Sequence, residues 1–235
     1  MDIAKIVQFI TIAALPVIIA VSFHEAAHGF VANRRGDPTA RNLGRLTLNP
    51  LRHIDLFGTV IIPLLLVVSQ AGIIFGYAKP VPVNQFNFKD PKRDMVWVAG
   101  AGPVSNFALA LVSGLSLQFL LMVKPDLVYL SQTGGGLFSH GGISASILIP
   151  LFLMLSFSVQ INVVLGVFNL IPIPPLDGGR ILMGILPDHK AQILGRIEPY
   201  GFFILLFLII FDPLGLMSRF VFGMMEFLTR IFMFV

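Results

Sequence analysis

Apolar residues run almost unbroken over 3–32, 94–123 and 143–171, and each run exceeds the roughly 20 residues a helix needs to cross a hydrocarbon core. Polar breaks separate them. Residues 33–56 carry Arg34, Arg35, Arg41, Arg45 and Arg52; residues 57–75 are apolar but interrupted by Pro63, Gly72 and the Ser69–Gln70 pair. Residues 76–93, "GYAKPVPVNQFNFKDPKR", hold too much proline for a helix and read as extended backbone. A glycine-rich loop, "SQTGGGLFSHGG", follows the second long run, and the third ends in the dense "NLIPIPPLDGGR". From 199 to 235 two further apolar runs flank Asp212-Pro213.

The pattern predicts an all-α integral membrane protein, a polytopic helical bundle of about five to six membrane segments. A small β-like, membrane-associated element is expected between the first and the next long span. The organisation expected is one domain over 1–235. Its core helices are 3–32, 94–123 and 143–177, with a β-like or re-entrant insertion over 33–93 and C-terminal helices over 199–235. Stretches 33–56 and 76–93 are both basic, so the positive-inside rule sends both to the cytoplasmic side. That favours a shallow or re-entrant path for 57–75 over a full crossing. No internal repeat and no soluble domain is evident.

Composition agrees. Hydrophobic side chains make up 56% and charged ones 12%, against about 25% charged in soluble domains. Mean hydropathy is +0.87. The net charge of +4 sits in short loops, so it bears on orientation in a bilayer and not on nucleic acid. The absence of cysteine excludes disulfides, thiolate metal sites and cysteine nucleophiles. The first apolar run is long for a signal sequence and continues into a His/Glu cluster, so it is read as a mature helix.

That cluster is "VSFHEAAHGFVANRR", residues 21–35. His24 and His28 stand one turn apart on one helix face, where two imidazoles can share a zinc ion, and Glu25 is placed to take a proton from a water the ion activates. In a soluble helix such a pattern could be a solvated face. Inside a membrane each ionisable group costs several kcal/mol to bury, and its presence is functional by default. Arg34 lies six residues beyond His28, about 9 Å of helix, which puts the site roughly 10–15 Å inside a core of about 30 Å, nearer the cytoplasmic face.

Catalytic zinc takes three protein ligands. His53, Asp55, His140, Asp177, His189 and Glu198 are the candidates for the third. His140 and His189 lie in polar loops, and His53 and Asp55 in an interfacial "LRHID". Asp177 is the strongest: prolines 172, 174 and 175 remove backbone donors before it and Gly178–Gly179 permit an abrupt turn after it. Irregular backbone at membrane depth is tolerated only inside protein or along a wet cavity. The competing reading is an aspartate that caps the following short helix.

Three motifs in this order, "HEAAH", "AGAGPVSN" (99–106) and "NLIPIPPLDGG" (169–179), resemble the site-2 proteases, the zinc intramembrane metalloproteases of peptidase family M50. "GRLTLNP" and "FGYAKPVPVN" are similar to the short bacterial branch, and the resemblance covers roughly residues 15–185. It implies one Zn²⁺ held by His24, His28 and Asp177, with Glu25 as general base. It implies Asn169, Asn106 and Asn84 as substrate-binding positions: Asn169 on substrate or oxyanion, Asn84 at the end of a strand-like edge. For Asn106 a helix–helix hydrogen bond is the plainer role. The PDZ and CBS domains of many relatives have no counterpart expected here.

The expected activity is hydrolysis of peptide bonds in or near transmembrane segments of other proteins. The partners would be such a substrate and the lipid bilayer, in the bacterial cell membrane; the oligomeric state is unspecified by the sequence. A metal-ion transporter would string further ionisable groups along the spans, and 94–123 and 143–171 carry essentially none between their ends. An inactive membrane scaffold would not need Glu25.

Overall fold

A computed structural model describes residues 3–69, 76–132, 142–212, 215, 219 and 221–234. Among these residues ten α-helices follow in order: α1 (Ile3–Arg35), α2 (Thr39–Asn42), α3 (Ile62–Val68), α4 (Pro91–Val123), α5 (Leu127–Gln132), α6 (Gly142–Asn169), α7 (Asp177–Ile185), α8 (Asp188–Ile197), α9 (Gly201–Phe211) and α10 (Phe222–Met233). Among the described residues four helical stretches are long and apolar enough to cross a membrane: Ile6–Arg35, Pro91–Val123, Ile147–Asn169 and Asp188–Phe211. The protein is an all-α polytopic integral membrane protein. The apolar helix within 57–75 is short, Leu56–Leu66, and the rest of that stretch from residue 70 lies outside the described residues, as does the loop holding His140.

Helix ends follow from local chemistry. At the end of α1, Asn33, Arg34 and Arg35 give way to Gly36, whose φ of +110° only glycine adopts without strain. Arg34 lies over the Phe30 ring at 4.7 Å and Arg35 over Trp97 at 5.2 Å, with Arg35 also 3.3 Å from Asp94. These contacts fix where α1 leaves the apolar layer and tie it to the first turn of α4. That helix opens with Asp90, whose side chain accepts from Arg93 N, and with Pro91 at the position where no donor is needed.

Helices α1, α4 and α6 pack together, α7 lies against α4, and α10 packs on α4 and α6. The α4–α6 seam is built of Ala110, Val159, Val163 and Val167, with Phe107, Met225 and Phe232 packed around it. Outside, large apolar side chains are bare: Phe119, Met122, Phe203 and Phe211 are each more than 60% exposed. Water would not tolerate such a surface and acyl chains require it.

The element expected between the first two long spans has extended backbone but no ladder: among the described residues there is no β-strand. The donors along 76–84 go elsewhere. Tyr77 N donates to Gly58 O, Lys79 N to His53 O, Val81 N to Glu25 and Asn84 N to Asp37. Prolines 80 and 82 contribute no donors at all, so no regular ladder could form. The segment is braced by Arg45, whose Nη2 donates to the carbonyls of Lys79 at 2.9 Å and Pro80 at 3.3 Å. Its far end is anchored on the buried Asp37, which accepts from Asn84 N and Asn87 Nδ2, each at 2.7 Å.

Candidate metal centre

His24 and His28 project from the fourth-last and third-last turns of α1 with their rings perpendicular, 87° apart, and their Nε2 atoms 3.0 Å apart. The Asp177 carboxylate meets them from α7: Oδ2 is 3.2 Å from His24 Nε2 and 3.3 Å from His28 Nε2. Three donor atoms on a tetrahedral ion with bonds of about 2.0–2.1 Å sit about 3.3 Å from one another. The observed separations have that size.

The far sides of both imidazoles are occupied. His28 Nδ1 donates to Val98 O at 2.7 Å, an atom that can only accept, so a neutral His28 turns a lone pair on Nε2 towards the other two donors. His24 Nδ1 lies 2.6 Å from Asn106 Oδ1. Asp177 Oδ2 is buried and accepts no hydrogen bond among the described residues. A buried carboxylate oxygen and an imidazole lone pair aimed at one point repel unless a cation lies between them. The donor set therefore fits a divalent metal, and an N/N/O set with room for one more position fits a catalytic zinc site.

Backbone fit delivers these groups. α4 crosses α1 so closely that a Cβ at Gly102 would lie 2.5 Å from His24 Cε1 and His28 Nε2, so only hydrogen fits there. Asp177 heads α7 without capping it; the cap position is Leu176 and no side chain bonds there. Its neighbour Gly178 lets the turn press against the end of α6, where a Cβ would sit 2.2 Å from Leu170 O.

Glu25 stands beside the donors with Oε2 accepting from Val81 N at 2.7 Å. A cavity of about 150 Å³ opens over the centre, lined by Glu25, Pro80, Val81, Asn169, Asp177 and Arg180 among others. Asn169 reaches this cavity while its Nδ2 donates to Leu165 O one turn back, at 2.9 Å. Asn106 is fully buried behind His24, and Asn84 is exposed, its side chain accepting from Phe86 N. The remaining ligand candidates among the described residues lie apart from the centre. His53 Nε2 donates to Thr47 O, Asp55 accepts from Phe57 N and Gly58 N, Glu198 lies 4.0 Å from Arg180, and His189 is exposed. Sequence reasoning missed Arg180, one turn beyond Asp177, and Gly102; "DGGR" and "AGAGP" carried the only signal for them.

Comparison with known proteins agrees with this chemistry. The chain is 38% identical over 201 residues to "Putative zinc metalloprotease YwhC" of Bacillus subtilis, covering 86% of this chain and 80% of that one. It is 26% identical over 211 residues to "Putative zinc metalloprotease Rip2" of Mycobacterium tuberculosis, covering 90% and 70%. No solved structure matches. The family description "Peptidase family M50" matches residues 12–211, and the chain, with its paired imidazoles and opposed carboxylate, belongs to that family.

Proposed function

We propose that this protein is a zinc-dependent intramembrane endopeptidase that hydrolyses peptide bonds in or near transmembrane segments of other membrane proteins. The observation that carries the reading is the placement of Glu25 next to three converging donors, two of them with Glu25 on a helix long and apolar enough to cross a membrane. His24, His28 and Asp177 would hold the ion. When bound, zinc polarises a carbonyl and brings the pKa of a water to about 7.

The chain's own residues supply the rest. Glu25 takes the proton of the attacking water and returns it to the leaving nitrogen, a role its carboxylate can fill while Val81 N–H holds one oxygen in place. Asn169, at the cavity wall, has an amide able to turn towards a developing oxyanion. A helix holds its carbonyls in internal hydrogen bonds, away from an attacking water. A substrate must therefore enter unwound, and the extended 80–84 edge offers carbonyls for it to pair with.

By the positive-inside rule the basic segments around Arg34, Arg45 and Arg52 put the site nearer the cytoplasmic face of a bacterial cell membrane. The test is cleavage of a model transmembrane substrate by purified protein in detergent or liposomes, with Glu25→Gln and Asp177→Asn alongside. Cleavage in the wild type that both variants lose is the expected result. Equal cleavage by all three would discard the assignment.

A further inference from the structure

Asn162 lies two turns before the end of α6, fully buried, away from the cavity. A polar chain runs through it. Asn162 Nδ2 donates to Ser158 O at 2.9 Å, Asn162 Oδ1 accepts from Asn106 Nδ2 at 2.9 Å, and Asn106 Oδ1 faces His24 Nδ1 at 2.6 Å. We infer that Asn162 is a positioning residue of the metal centre. Acting through Asn106, it fixes His24 in the tautomer that presents an unprotonated Nε2 to the ion. The inference rests on the zinc-site reading above.

The direction of every bond follows from the far end. A backbone carbonyl only accepts, so the NH₂ end of Asn162 must face Ser158 O and its oxygen must face Asn106. Asn106 then has to present its own NH₂ to Asn162, and a second carbonyl, Ala20 O at 3.3 Å, asks for the same orientation. That leaves Asn106 Oδ1 against His24, where only a protonated Nδ1 can donate to it. The proton is thereby held away from Nε2. Without the acceptor on Asn162 the Asn106 amide keeps only the longer bond to Ala20, and the other orientation, which would place a proton on Nε2, becomes accessible. Ser113, whose hydroxyl pairs with Ser158 Oγ at 2.8 Å, extends the chain but does not set its direction, because the Ser158 carbonyl acts without it.

If Asn162 were merely a hydrogen bond between helices, its loss would lower stability and leave metal affinity alone. Groups that orient a metal-ligating histidine change affinity by 10–100-fold when removed. The experiment is competition for Zn²⁺ between a chelator and full-length protein in detergent, with the absorption of the Co²⁺-substituted protein as a second readout. Asn162→Ala is expected to weaken Zn²⁺ binding at least tenfold and to shift the Co²⁺ bands. Asn162→Asp, whose protonated carboxyl puts one donor and one acceptor in the same places, is expected to stay within about threefold of wild type. Ser113→Ala should change neither readout.

The pair Asn106→Ala plus Asn162→Ala should bind Zn²⁺ no more weakly than Asn106→Ala alone, since one effect passes through the other. If Asn162→Ala does not fold, Asn162→Ser carries the test. Its hydroxyl bonds back to the Ser158 carbonyl and is too short to reach Asn106, so the same loss is expected. Wild-type affinity in Asn162→Ala or Asn162→Ser, or losses that add in the double variant, would overturn the inference while leaving the zinc site standing. A wild type that binds no Zn²⁺ would instead overturn the site itself.

Discussion

Glu25 accepts a 2.7 Å hydrogen bond from the backbone N–H of Val81, which joins the proposed general base to the extended segment that walls the cavity. One carboxylate oxygen is thereby engaged and held on the side of the metal donors. Because Arg45 grips the carbonyls of Lys79 and Pro80 just before Val81, the base and the cavity wall form one braced unit.

Glu25→Gln keeps the size and the acceptor for Val81 N–H but cannot take a proton. Peptide hydrolysis should fall by about 10²–10⁴-fold, the share a positioned general base supplies. Zn²⁺ bound per chain should stay at the wild-type value, because Glu25 is not among the three converging donors. Metal analysis beside a cleavage assay checks both halves; a variant that loses metal as well would make Glu25 a ligand.

Gly102 tests how closely α4 must approach. A Cβ there would stand 2.5 Å from both His24 Cε1 and His28 Nε2, and each ring is pinned on its other side, by Asn106 and by Val98 O. Gly102→Ala should therefore displace an imidazole and weaken Zn²⁺ at least tenfold, as misplaced ligands do. Far-UV circular dichroism should be unchanged, since alanine favours helix. Gly100, with open space around its Cβ position, is the control, and Gly100→Ala should leave affinity alone.

These residues also mark how far the sequence could be read. His24, Glu25 and His28 were legible because their geometry is local: four residues along a helix place two rings on one face whatever surrounds them. The three long spans were legible because lipid demands apolar length. Asp177 needed the proline and glycine punctuation around it. Gly102, Asn162 and the Glu25–Val81 bond were not legible, because each depends on where one helix or segment crosses another, and no local pattern encodes the crossing. The edge at 76–84 shows the opposite limit. Its composition announced extended backbone, but its amides donate to the separate carbonyls of Gly58 and His53 and to the side chains of Glu25 and Asp37, in place of a second strand.

Asp37 gives the edge a pH dependence. Burial pushes its carboxyl up, but hydrogen bonds from Thr39, Asn87 and Asn84 outweigh that and hold it below the ordinary carboxylate value. A depressed folded pKa means the charged form stabilises the fold, with the full contribution present above the unfolded value near 3.9 and lost as pH falls through the lower, folded value. Thermal midpoints in detergent should thus decline from about pH 4 downwards. Asn cannot supply that charge, so Asp37→Asn should be less stable at pH 7 and show a shallower acid decline. Parallel slopes for the two proteins would remove Asp37 from the account.

Metal removal should cost stability as well as activity. Without an ion, the buried Asp177 Oδ2 has no hydrogen bond to satisfy it and faces the His28 lone pair. An ion that binds only the folded chain adds about 2.7 kcal/mol at a free concentration of 100 times its Kd. Stripping with a chelator should lower the thermal midpoint by several degrees, and added Zn²⁺ should restore it in proportion to the logarithm of its concentration. Glu25→Gln should keep this response in full while inactive, which separates the metal's structural contribution from catalysis. Asp177→Asn should lose it, because an amide removes the charge the ion balances; a full Zn²⁺ response in that variant would mean that the third ligand is another residue.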